Sequence, residues 1–272
     1  MINVAHIDGD ILVFRAAFAC EKAVYELHVE GQPPMRFEAA KDLDNFVKAN
    51  KITTYVRDKQ REIEPVEYVY ANLRSMLDMI NDNLNPDYTA IYLTGTDNFR
   101  RRITPTYKAN RDKSYRPHWF EEARIYLQQQ HQALVVNGYE ADDAIGLNYQ
   151  PGHTIVSIDK DLKTIPGDHY NFVKNEAESV SLDQADLNFW RQMLTGDVSD
   201  NVIAVKGIGP KTAEKLIRAD MCVTERIAEV LKQYKKHTLD FEQNYYLLRI
   251  LRSEDEYRTV QAWISKRQVS KT

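Results

Sequence analysis

Short apolar runs, each ending in a charged turn, set the pattern of the first part of this chain. Ile2–Ile7 runs into Asp8, Ala90–Leu93 into Thr94 and Gly95, Leu134–Val136 toward Gly138 and Glu140, and Thr154–Ile158 into Asp159. Runs this short, apolar without alternation, predict strands covered on both faces, as in parallel sheets. Between the first two runs, Val66, Val69, Leu73, Leu77 and Ile80 recur at helical spacing and predict a core-facing stripe. Strands alternating with helices imply an α/β fold with a mostly parallel sheet flanked by helices. Its ligands belong beyond the strands' C-terminal ends, where the acids fall.

From about residue 23 to 64, Pro33, Pro34 and scattered charges predict a peripheral loop with short helices. After Ser181 no further strand is predicted. Leu187, Trp190, Met193 and Leu194 share a helix face, as do Ala213, Leu216 and Ile217, and later Tyr246, Leu247, Ile250 and Leu251. The expected division is an α/β core over residues 1–180, with a basic segment near 98–120, and a helical part over 181–272. The polar tail, 265–272, is expected to fray.

Composition narrows the class. A chain of 272 residues, 43% hydrophobic, can bury a substantial core. Its mean hydropathy is −0.54 and no apolar run approaches a membrane span, so a soluble, cytoplasmic protein is expected, with no membrane partner. Cys20 and Cys222 lack metal-ligand spacing and read as two buried, reduced thiols. The net charge of −4 looks wrong for a polyanion-binding protein until its distribution is considered. Arg100, Arg101, Arg102, Lys108, Arg111, Lys113 and Arg116 crowd one stretch against Asp112 alone, while acids crowd elsewhere. A positive strip facing a negative cluster suits a polyanion held against bound cations.

The acids come in groups beside the apolar runs: Asp8 and Asp10; Glu140, Asp142 and Asp143; Asp159 and Asp161; Asp197 and Asp200. Converging carboxylates need cations, protons or distance. Hard oxygen donors without His or Cys point to Mg2+ or Mn2+. Two such ions, roughly 3.5–4 Å apart, would activate water and stabilise the leaving oxygen of a phosphodiester.

Gly138-Tyr-Glu-Ala-Asp-Asp-Ala-Ile-Gly146 resembles a motif of the 5′-nuclease family, which includes flap endonucleases, phage 5′–3′ exonucleases and the 5′-nuclease domain of bacterial DNA polymerase I. Ser157-Ile-Asp-Lys-Asp-Leu162 resembles its second acidic motif, and Gly196-Asp-Val-Ser-Asp-Asn201 its third. Gly207-Ile-Gly-Pro-Lys-Thr-Ala213 resembles its DNA-binding hairpin, and Tyr107-Lys-Ala-Asn-Arg111 its basic motif. The resemblance implies a PIN-like core with a helix-hairpin-helix motif near 196–218. It further implies that Asp8, Glu140, Asp142, Asp143, Asp159 and Asp161 ligate metal, and that Asp197 and Asp200 hold the second ion, partly through water. Asp10 matches no family carboxylate and is expected to be a local cap or a solvated acid. The family's Asp after the second strand is replaced by Thr94 or Gly95, with Asp97 or water left to fill the place.

By the same resemblance, the basic segment is a helical gateway over the acids. Lys108 and Arg111 would lie on one helical face, steady the scissile phosphate and act in catalysis, Tyr107 would stack on a base, and Arg100 would contact DNA. Phe99, Trp119 and Phe120 are expected to be packing residues. In the hairpin, Gly207 and Gly209 permit close backbone approach, Pro210 suits a first helical turn, and Lys211 and Thr212 would meet phosphate. Such loops in the family also bind a monovalent cation, K+. The expected activity is 5′–3′ exonuclease or flap endonuclease cleavage of DNA, with RNA–DNA hybrids as further substrates, in replication, primer removal or repair.

Two other readings compete. Asp8-Gly-Asp10 with Thr94-Gly95 resembles a haloacid-dehalogenase phosphatase signature, with Asp8 as nucleophile and Asp10 as acid/base; it leaves the Glu140 group, the basic motif and the hairpin idle. A DNA-binding protein that kept the fold and lost its chemistry is supported only by the vacant carboxylate position.

Overall fold

The computed structural model describes residues 2–111 and 115–269; Asp112 and Lys113 of the basic run and the last residues of the tail lie outside the described residues. By their contacts the residues form two compact units, Met1–Ile11 with Leu77–Tyr115 and Leu127–Thr272, and Leu12–Met76 with Arg116–Tyr126. The C-terminal helices therefore group with the large sheet, and no unit boundary falls at residue 180.

The first unit is built on a six-stranded sheet ordered β6-β5-β1-β7-β8-β9. Its strands are β1 (Val4–Asp8), β5 (Tyr88–Asn98), β6 (Leu134–Gly138), β7 (Thr154–Val156), β8 (Gly167–Asn171) and β9 (Glu176–Val180). The first five pair in parallel and β9 returns antiparallel. The central strand β1 shows why an apolar run reads as parallel sheet: Ala5, His6, Ile7 and Asp8 are all buried. Two of them, His6 and Asp8, are polar, and His6 is satisfied by Tyr92 Oη at 3.0 Å and His153 Nδ1 at 2.8 Å. Strands β8 and β9, a hairpin of mixed polarity, were not expected, because neither carries an apolar run.

Helix α3 (Val66–Leu84) follows the predicted stripe, with Val69, Leu73, Leu77 and Ile80 buried. Helix α6 (Ala141–Asn148) leaves β6 and carries two of the acids. The C-terminal region holds α7 (Leu182–Thr195), α8 (Pro210–Leu216), α9 (Val223–Lys236), α10 (Phe241–Leu248) and α11 (Glu254–Val269). The apolar faces of α7 to α10 close one core around Leu187, Trp190, Met193, Leu194, Ile217 and Leu247, whereas α11 packs Val260 and Ile264 against Phe99 and Leu251. Residues 265–269 continue α11, so that part of the tail is helical.

The second unit replaces the expected loop. Strands β2 (Glu21–His28), β3 (Met35–Phe37) and β4 (Val56–Ile63) form an antiparallel sheet ordered β3-β2-β4, with α2 (Ala40–Ala49) between β3 and β4 in sequence. Every residue of β4 is exposed, so no apolar alternation marks it. α1 (Gly9–Phe18) and α5 (Phe120–His131) contribute Phe14 and Phe120, whose rings lie 5.0 Å apart. Trp119 Nε1 donates to Glu64 O at 2.8 Å, so both aromatics pack as expected. Cys20 is buried, but Cys222 is exposed, and both are free thiols.

Candidate metal centre and nucleic-acid interface

Each acidic group lies where a strand or a helix of the first unit begins or ends. Asp8 ends β1 and pairs in register with Tyr92 of β5. Glu140 caps α6, and Asp142 and Asp143 lie in its first turn, where negative charge meets the positive end of the helix. Asp159 follows β7, and Asp161 opens a 3-10 turn, Asp161–Thr164. Asp197 and Asp200 lie in the loop after α7, closed by reciprocal backbone hydrogen bonds between Asp197 and Val202 at 3.1 and 2.7 Å.

One part of this acidic set is neutralised by the protein itself. Asp143, fully buried, takes a two-pronged ion pair from Arg100 at 2.5 and 2.9 Å. It also accepts the N–H groups of Glu140 and Leu251, each at 3.0 Å. Arg100 is 2% exposed and spends its remaining donors on Leu247 O and Arg249 O. Burial alone would lower the Arg100 pKa, and the charge and hydrogen bonds of Asp143, joined by Tyr107 and Glu140, together reverse that and hold it well above its usual value. Two expectations are corrected here: Arg100 is walled off from DNA, and the Asp143 oxygens are committed to the protein rather than presented to a metal.

Glu140 and Asp200 are paired in the same manner. Lys108 Nζ lies 2.5 Å from Glu140 Oε1 and 3.6 Å from Asp200 Oδ2, and Arg111 Nη2 lies 2.5 Å from Asp200 Oδ1. Asn98 Nδ2 donates to Glu140 Oε1 at 2.8 Å. The Tyr107 hydroxyl sits 3.0 Å from Glu140 Oε2 and 2.8 Å from Asp200 Oδ2, bridging them. Burial pushes Glu140 up, but Lys108 and Arg100 bring it below the usual carboxylate range. Asp200 stays raised, because burial outweighs Lys108. Tyr107 is 1% exposed, so base stacking by its ring is overturned. The expected gateway helix is also shorter than predicted. α4 (Phe99–Ile103) gives way to turns, and Lys108 itself has φ +57°, so Lys108 and Arg111 do not share a helical face.

The remaining acids have no such relief. Among the described residues, Asp8, Asp142, Asp159 and Asp161 form no ion pair. Burial, then the neighbouring charges of Asp10 and Asp159, push the Asp8 carboxyl up to about 7, against weak donation from Ile11 N–H at 3.3 Å and Ser157 Oγ at 3.4 Å. Burial followed by Asp8, Asp159 and Glu140 holds half-buried Asp142 well above the carboxylate range. Asp161 is pushed up to about 7 by burial, Asp159 and Asp197. Asp197 is burdened by burial but carried below its ordinary value by the Ser199 hydroxyl at 2.6 Å and the N–H groups of Ser199 and Asp200.

Among the described residues, no three acidic, imidazole or thiol side chains stand in ready metal-enclosing geometry. The donor set still fits a hard divalent cation, because it is all oxygen and lacks neutralising protein charges where its repulsion is greatest. Sequence reasoning missed Asn98, Ser157 and Ser199 as partners of these acids, since single amides and hydroxyls carry no spacing signal. Asp10 is also misplaced by it: Asp10 Oδ2, in the first turn of α1, accepts the Thr94 N–H of β5 at 2.9 Å rather than capping locally.

A groove of about 710 Å3 runs from Asp159, Asp161 and Asp197 to Ile208, Gly209 and Pro210 of the hairpin. Gly207 turns with φ +82°, Gly209 caps α8, and Pro210 occupies its first turn. A Cβ at Gly207 or Gly209 would meet nothing within 4 Å, so this backbone is open to a ligand. Lys211 and Thr212 are exposed beside it.

Residues 3–189 match the family described as 5′-3′ exonuclease, N-terminal resolvase-like domain. The chain is 30% identical over 191 residues to a 5′-3′ exonuclease of Buchnera aphidicola subsp. Schizaphis graminum, covering 61% of this chain and 64% of that protein. It is 35% identical over 97 residues to DNA polymerase I of Deinococcus radiodurans, covering 30% of this chain and 10% of that protein. The chain thus spans only part of the curated relatives it matches. Among solved structures, T5 5′-exonuclease with bound divalent zinc ions shares the fold at TM-score 0.59 and 17% identity, over 98% of this chain and 99% of that one. The bacteriophage T5 flap endonuclease in a pseudo-enzyme-product complex with DNA and metal ions gives TM-score 0.56 at 17% identity, over 90% of this chain and 88% of that one.

The raised Asp8 carboxyl makes a pH prediction. Its folded pKa, about 7, exceeds its ordinary 3.8, so the folded state holds a proton that the unfolded state has lost between those values. Stability of the metal-free protein then falls as pH rises through that window and levels off above about 7. Asp8→Asn removes this term. In EDTA its stability relative to the unsubstituted protein should grow from pH 5 to 7.5 by on the order of 3 kcal/mol, read by urea unfolding. A pH-independent difference would contradict the assignment.

Proposed function

Because the chain belongs to the 5′–3′ exonuclease family, we propose that it is a divalent-metal-dependent nuclease hydrolysing DNA phosphodiester bonds at or near 5′ ends. The observation that carries the reading is the division of the acids. Asp143, Glu140 and Asp200 form ion pairs with protein cations, whereas Asp8, Asp142, Asp159 and Asp161 form none among the described residues and lie among further carboxylates. Asp8, Asp142, Asp159 and Asp161 would hold Mg2+ or Mn2+, with Glu140 shared between metal and Lys108, and with Asp197 and Asp200 serving a second ion. Such cations supply activation of the attacking water and neutralisation of the leaving oxygen.

The chain's own residues account for positioning. Arg111, half-exposed at the rim with its guanidinium on Asp200, is placed to meet an arriving phosphate. Lys108 is more enclosed, and its first task is to hold Glu140 ionised. The hairpin at Gly207, Gly209, Lys211 and Thr212, open to solvent at the far end of the groove, would take a duplex backbone with little sequence preference and could take K+ in its turn. Backbone recognition also admits RNA–DNA hybrids. The biological setting we infer is 5′-flap or primer removal, or 5′–3′ degradation, in replication or repair.

The test is cleavage of a 5′-labelled flap duplex beside a blunt duplex, with Mg2+, Mn2+ or EDTA. Cleavage from the 5′ side should need the metal, and Asp142→Asn should reduce it by more than about 100-fold. Tight, salt-sensitive binding without cleavage in either metal would refute catalysis and leave a DNA-binding relic.

A further inference from the structure

The pair Asp8-Gly9-Asp10 is not explained by the site as described, because only its first acid is used. Gly9 begins α1 hard against β5: a Cβ there would lie 2.7 Å from Ile91 Cγ2, 2.7 Å from Tyr92 O and 2.9 Å from Leu93 Cδ2. Any side chain at this position would push the first turn of α1 away from the strand. With glycine, the turn closes in and Asp10 reaches the Thr94 N–H at 2.9 Å. Thr94 is the position at which a family carboxylate would leave the second strand. Its side chain has another task, since Thr94 Oγ1 accepts the N–H of Ala141, the residue before Asp142. The strand thus has no acid at Thr94, its own Asp97 coming three residues later, but has one laid onto its backbone there from the neighbouring helix. Among the charges acting on Asp8, that of Asp10 is the largest.

We propose that Asp10 is a relocated metal-facing carboxylate, supplied from the first turn of α1 in place of the missing acid at Thr94. The inference rests on the nuclease reading of the same site. Gly9 is its structural condition, and the Thr94 N–H fixes the orientation of the carboxylate.

Asn at position 10 keeps an oxygen acceptor for the Thr94 N–H and removes only the charge, so Asp10→Asn tests the metal role without removing the backbone contact. Metal-free protein is titrated with Mn2+ alone by calorimetry, without DNA, for four forms: unsubstituted, Asp10→Asn, Asp10→Asn with Thr94→Asp, and Asp97→Asn. Asp10→Asn should weaken Mn2+ binding by more than about tenfold or lose one ion from the stoichiometry. Thr94→Asp in that background should restore it, because the carboxylate returns to the strand. Asp97→Asn should bind as the unsubstituted protein does. Melting in EDTA checks that each form is folded.

Unchanged Mn2+ binding by folded Asp10→Asn overturns the proposal and leaves the nuclease reading intact. So does a loss confined to Asp97→Asn, which would assign the role to the acid near the end of β5. A weakened Asp10→Asn that Thr94→Asp does not rescue reduces Asp10 to a positioning residue and equally overturns it. No Mn2+ binding by the unsubstituted protein removes both this inference and the metal centre beneath it.

Discussion

Like charges gathered out of water repel, and a fold that brings several carboxylates to the ends of neighbouring strands must relieve that repulsion with cations, protons or donors. This molecule does so unevenly. Arg100 serves chiefly Asp143 and two carbonyls, with Glu140 Oε2 3.8 Å from Nη1, and this buried pair ties the first turn of α6 to the segment around Leu247–Leu251. Lys108, Arg111 and Tyr107 attend to Glu140 and Asp200. With those acids held, α6 has a fixed origin and Asp142 a fixed place. The residual charge is concentrated on Asp8, Asp142, Asp159 and Asp161. The proposed metal centre is in this sense what the protein leaves unneutralised.

The same contacts explain why the helical C-terminal region belongs with the sheet. Leu251 N–H binds Asp143, and Arg252 Nη1 reaches Asp186 at 3.1 Å while its Nη2 donates to Thr164 O. A chain that ended near residue 180 would leave Arg100 and Asp143 without their backbone partners in the buried interior, at a cost of several kcal/mol. An apparent change of character in the sequence at Ser181 is therefore a change of secondary structure and not of folding unit.

What the sequence revealed follows from local physics. β1, β5, β6 and β7 were legible because each carries an apolar run, although Leu134 and Val135 of the edge strand β6 are exposed, and the acids beside β1, β6 and β7 were legible because those runs lead into them. The hairpin was legible because glycine and proline impose its turn. β4 was not, since a fully exposed strand such as Val56–Ile63 has no periodic burial to betray it. Arg100 and Tyr107 were misjudged for another reason. A basic or aromatic residue in a charged run reads as surface, and only the fold reveals partners such as Asp143, 43 residues away from Arg100, or Asp200, 93 away from Tyr107. Asp10 was misjudged likewise, because its partner Thr94 is 84 residues distant.

The division between neutralised and reserved acids is most directly tested by thermal unfolding of Asp142→Asn and Asp143→Asn, each in EDTA and in excess Mg2+ at pH 7.5. Asp142→Asn should melt higher than the unsubstituted protein in EDTA, because repulsion is relieved, and should lose most of the Mg2+-induced rise. Asp143→Asn should melt lower in both media, because Arg100 is left without its counter-charge, and should keep a Mg2+-induced rise. If the two substitutions behave alike, or if Asp143→Asn is the one that abolishes the Mg2+ response, the acids are not divided as described and the metal centre must be redrawn.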